Sequence, residues 1–149
     1  CRGNIAEDDY AVLIGAGLEP GEGSTLQALS AWYAWETALR NELIGYRAQR
    51  LGWETDRYLR EGEVITGVLD VARNAASQDS PLVAEDVLNR ARWGFLDELE
   101  TGHFFELTNL VVFSLKLQLL HRKDQFTREK GEENFKEIYQ KIREDIRSA

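Results

Sequence analysis

The chain has 149 residues, 43% of them apolar and 30% charged, which allows a packed core and excludes a wholly disordered chain. A net charge of −8 and a pI near 4.8 argue against non-specific nucleic-acid binding, because phosphate affinity rests on Lys/Arg patches. The one cysteine, Cys1, excludes an internal disulfide and a thiolate metal cage, a usage that suits a reducing cytoplasm.

The chain opens at Cys1 without an initiator Met, and reads as a fragment of a longer chain entered part-way through a helix. Gly3-Asn4 turns that entry, Asp8 or Asp9 caps a short turn, and Gly15 and Gly17 close it. "EPGEGS" (Glu19–Ser24) is a loop, with Ser24 as an N-cap. From Leu26 to Leu51, Leu26, Leu29, Trp32, Tyr33, Leu39, Leu43 and Tyr46 recur at helical spacing, and Gly52 stops the run. After a bridging "WETDRYLREG", a helix is expected over Glu63–Ala76, with Val64, Ile65, Val68, Leu69 and Ala72 on one side.

Ser80 and Pro81 then form a helix start, since proline at the first helical position sacrifices no hydrogen bond. Val87, Leu88, Ala91, Phe95 and Leu99 give that helix its apolar stripe, and Gly102 stands where a left-handed terminating residue belongs. Phe104 to about Phe126 is apolar almost all round. Glu106, Asn109, Lys116 and Gln118 interrupt it, so it does not read as a membrane span. It is expected to be a central helix covered by its neighbours. The charged segment 127–149 reads as an amphipathic C-terminal helix, with a seam of Phe135, Ile138, Tyr139, Ile142 and Ile146 available for packing or for a partner. The fold expected is all-α: a single domain over 1–149, a bundle of five or six helices around the helix at about 104–126.

The passage "LDELETGHFFE" (Leu96–Glu106) is the most chemical in appearance. Glu100, His103 and Glu106 could in principle hold a metal. A di-iron carboxylate bundle needs a second Glu-x-x-His unit, however, and His121 has Gln118 in the required place. Gly102 also breaks the helical spacing between Glu100 and His103. The passage therefore reads as a corner between two helices, with a metal-binding protein or small enzyme as the alternative. There is no phosphate-binding G-x-x-x-x-G-K-[ST], and the serines have no Ser-His-acid setting. No cofactor and no catalytic residue is expected. Glu36, one turn after Trp32 and one turn before Arg40, falls near the apolar stripe. With Arg90 and Arg92 beside Trp93, these residues suggest a partly buried structural polar network.

The stretches "WYAWETALRNELIGYRAQRLG", "SPLVAEDVLNRARWGFLDELETGHFFELTNLVVFSLKLQLLHR" and "EKGEENF" carry a resemblance over most of the chain. They resemble a domain of unknown function encoded among the subunits of bacterial V/A-type ATP synthases, also called V-type ATPases. In that family a short hydrophobic segment precedes the Cys1 region, which agrees with the fragment reading. The resemblance implies a non-catalytic accessory or structural subunit, or an assembly factor, of a rotary ion-translocating ATPase. Its implied partners are stalk or rotor subunits. Its implied place is the cytoplasm, attached to the membrane through the complex and not by direct insertion.

Overall fold

The computed structural model describes residues 6–21, 23–55, 58–125, 135–136, 138–140 and 143. Among these the secondary structure is entirely helical, as expected. Five helices follow in order: α1 (Glu7–Gly15), α2 (Gln27–Leu51), α3 (Val68–Ala76), α4 (Pro81–Glu100) and α5 (Leu107–Gln125). The chain divides into two compact units, Cys1–Leu119 and Leu120–Ala149.

In the first unit, α1 places Glu7, Asp8 and Asp9 in its first turn, where carboxylates favour the positive helix end. The acids thus lie inside a helix and do not cap a short turn. Ser24 does not cap α2 directly either. It forms a clamp with the first turn: the Leu26 amide donates to Ser24 Oγ (3.1 Å) and Ser30 Oγ donates to the Ser24 carbonyl (2.8 Å). Gly52 ends α2 in the left-handed region at φ 67°, as its position in the sequence implies.

Helix α3 starts later than the sequence suggests. Gly67 is left-handed (φ 86°), so Glu63–Thr66 lie outside the helix and Val64 is 95% exposed. The buried side of α3 is Val68, Ala72 and Ala75, at the four- and three-residue spacing of one helical face. In α4 the buried positions are Leu88, Arg92 and Leu96, flanked by partly buried Val87, Ala91, Trp93, Phe95 and Leu99. The innermost line of this helix therefore carries an arginine. Gly102 (φ 85°) makes the expected turn after it.

The innermost helix is α2, whose Trp32, Glu36 and Leu39 are fully buried. The Trp32 ring stacks on Trp35 and Phe95, with centroids 6.0 and 6.5 Å away, and Trp35 stacks on Phe95 at 4.9 Å. Trp32 Nε1 donates to the Gly17 carbonyl (3.2 Å), which fastens the α1–α2 loop to the core. Helix α5 adds Val111, Val112, Leu115 and Leu119 to this core. The bundle is as expected, but α5 is not covered on all sides. Leu110 (43%), Phe113 (60%) and Leu117 (50%) face solvent, and α2 takes the central place. Among the described residues, no helix is long and apolar enough to cross a membrane.

In the second unit, the described residues between 135 and 143 are helical. Phe135, Ile138 and Tyr139 are exposed, with the Phe135 and Tyr139 rings stacked one turn apart at 6.3 Å. Ile142 and Ile146, the rest of the expected seam, lie outside the described residues.

Candidate functional site: a buried ion network and an open helix face

Two polar assemblies stand out in the first unit, and the inner one centres on Glu36. Its Oε1 accepts from Arg40 Nε (2.9 Å) and from Arg92 Nη2 (3.0 Å), and its Oε2 accepts from Arg92 Nε (2.9 Å). Arg92 grips the carboxylate with both arms of its guanidinium, the fork geometry that makes such pairs strong. The spare nitrogen Nη1 of Arg92 reaches Glu85 Oε1 and Asn89 Oδ1, both at 3.3 Å. Arg40 completes the chain outward by a two-armed bond to Glu19, with Nη2 to Oε1 at 2.8 Å. The hydrogen bonds to Glu19, with support from Glu36, hold the Arg40 guanidinium above its ordinary range against the opposing effect of burial.

Of the four residues expected in this network, Glu36, Arg40 and Arg92 come together and Arg90 does not. Arg90 is 81% exposed and pairs with Asp86 at 2.7 Å, one turn away on its own helix. Two helical positions differ by about 200°, so Arg90 and Arg92 cannot share a face. Glu19, Glu85 and Asn89 also belong to the network. Glu85, Asn89 and Arg92 lie at i, i+4 and i+7, a spacing that could have shown them, whereas Glu19 sits in a loop and leaves no periodic signal. Each Glu36 oxygen is bonded to guanidinium and the residue has no solvent exposure. The network suits the locking of α2, α4 and the α1–α2 loop in one register.

The outer assembly lies at the α4–α5 corner. Lys116 Nζ bonds Asp97 Oδ1 (2.7 Å) and Glu100 Oε2 (2.5 Å), and stands 5.5 Å from the Trp93 ring centroid. His103 Nδ1 lies 2.8 Å from Glu106 Oε2. Asn109 ties the corner by donating to the His103 carbonyl (2.9 Å) and accepting from the Glu106 amide (3.2 Å). Glu100 thus turns its side chain to Lys116, and the His103 ring pairs with Glu106. No group of three or more His, Cys, Asp or Glu side chains among the described residues is arranged to hold a metal.

The hydrogen bond from Lys116 holds the Glu100 carboxyl below its ordinary range. Burial pulls the Lys116 ammonium down, but the bonds to Asp97 and Glu100 outweigh it and leave it above its ordinary range. Glu100, lowered on folding, contributes stability above the ordinary carboxylate range that is lost as pH falls through its folded value. Lys116, raised on folding, contributes below the ordinary ammonium range and loses that contribution as pH rises through its folded value. Lys116→Gln is expected to return Glu100 toward the ordinary range, read by carboxyl ¹³C shifts across a pH titration. An unmoved Glu100 midpoint would show that Lys116 does not hold it.

Beside this corner runs the open face of α5. Phe104 and Phe105, before the helix, are both exposed, and Phe105 adopts a left-handed backbone (φ 57°) that a bulky residue rarely takes. Leu110, Phe113 and Leu117 continue the apolar surface at three- and four-residue spacing.

Fold and site together define a small all-helical protein, stapled internally by ion pairs and carrying an uncovered apolar helix face. Residues 62–146, more than half of the chain, match the family described as protein of unknown function, DUF2764. The chain belongs to that family. No curated protein and no solved structure matches it significantly.

Proposed function

We propose that the protein is a non-catalytic accessory or structural subunit, or an assembly factor, of a bacterial V/A-type ATP synthase that binds stalk or rotor subunits through helix faces. The observation that carries the binding reading is the solvent-exposed line Leu110, Phe113 and Leu117 on a helix whose opposite side is core. A line of large apolar side chains on a soluble surface marks an interaction site. Exposed Phe135, Ile138 and Tyr139 supply a second candidate contact, in the other unit. The resemblance of the Trp32–Gly52 and Ser80–Arg122 motifs to the ATPase-associated family supports the choice of complex. On this reading the protein works in the cytoplasm, held at the membrane through the ATPase.

Deletion of the gene tests the proposal. The expected result is a marked loss of fully assembled ATPase on native gels, with the catalytic head still hydrolysing ATP. An undiminished amount of assembled, ion-pumping complex would overturn it.

A further inference from the structure

We infer that the occupant of the open α5 face is a basic amphipathic helix of a partner protein, an inference that rests on the subunit-binding reading above. The stripe Leu110–Phe113–Leu117 spans about 10 Å at 1.5 Å per residue, and its spacing of three and four is that of a helix-pairing seam. Its border beside the end of α4 is acidic. Asp97, Glu98 and Glu100 occupy the last turn of α4 and Glu106 precedes the stripe on α5; Lys116 pairs with Asp97 and Glu100, and the basic Arg122 and Lys123 stand past the far end of the stripe, in the last turn of α5. The last turn of α4 carries no basic residue, so the negative end of the helix adds to the same field.

This charge chooses among occupants. Membrane surfaces carry anionic headgroups and attract basic segments, so an acidic border disfavours them. A second copy of a chain with net charge −8 would bring another such acidic border with it. A helix with apolar residues at three- and four-residue spacing, flanked by Lys or Arg, meets both the stripe and its rim. Complementary rim charges of this kind steer association and reject wrong partners.

The test is site-specific photo-crosslinking in native cells, with Phe113→p-benzoyl-phenylalanine in the full-length chain and the crosslinked peptide sequenced by mass spectrometry. Leu69, exposed on α3, carries the same reporter in a parallel strain. The expected product from position 113 is a net-positive segment of an ATPase subunit with a helical apolar spacing. Adding Glu98→Lys and Glu106→Lys is expected to cut its yield about tenfold, since like charges placed across an interface are strongly unfavourable. Crosslinks to ATPase subunits from position 69 but not 113 would overturn this surface and leave the proposed function standing. No ATPase crosslink from either position would count against both. A product with a second copy, with the chain's own C-terminal residues, with lipid or with an acidic segment would overturn the assigned occupant.

Discussion

Glu36→Ala is expected to destabilise the protein by about 3–5 kcal/mol, the range seen when one partner is removed from a buried ion pair. The loss comes from what remains. Arg92 is itself buried and would keep only Glu85 and Asn89, at 3.3 Å, against a charge that Glu36 now neutralises through two bonds. Arg40 suffers less, because Glu19 still holds it at the surface. Glu36→Leu combined with Arg92→Met should therefore recover much of the stability lost in Glu36→Ala, since a matched apolar pair leaves no buried charge unpaired. Urea unfolding of the three proteins measures this. A loss below about 1 kcal/mol for Glu36→Ala would contradict the network's closure around Arg92.

Trp32→Ala is expected to cost about 3–5 kcal/mol, by removing the largest fully buried side chain and leaving a cavity. It would also strip the ring stack from Trp35 and Phe95 and leave the Gly17 carbonyl without its indole donor. Trp53 gives the comparison within the same chain. It is exposed, and Trp53→Ala should stay within about 0.5 kcal/mol of wild type. Equal losses for the two tryptophans in thermal or denaturant unfolding would place the core elsewhere.

Much of the fold is legible in local chemistry. Gly52 and Gly102 mark helix ends because each takes a left-handed backbone there, and Ser80-Pro81 marks the start of α4. Val64 and Ile65 look like the first turn of α3, but Gly67 bends the chain after them and the apolar pattern alone does not show it. Arg90 and Arg92 look alike in sequence, and only the helical angle between them separates a surface pair from a core pair.

The open face of α5 was the least legible feature. Leu110, Phe113 and Leu117 satisfy a helix buried by its own bundle as well as one buried by a partner, because apolar surface does not encode whose surface covers it. For the corner, the Gly102 break against a Glu100–His103 site was visible, whereas the Lys116 grip on Asp97 and Glu100 depends on α4 lying beside α5 and has no sequence signature. The same holds for Glu19, whose bond to Arg40 closes a contact 21 residues away.

The most direct measurement of the proposed role is affinity isolation of the tagged full-length protein from native membranes, wild type beside Phe113→Glu/Leu117→Glu. Both substituted residues are exposed, so the double variant is expected to fold, which circular dichroism and a cooperative melt would verify. Wild-type protein is expected to bring down stalk and rotor subunits together in a fixed ratio, and the folded double variant to lose them. Isolation of wild-type protein with no ATPase subunit enriched over an untagged control would contradict the proposed function. Equal recovery by the double variant would contradict the assignment of the contact to α5.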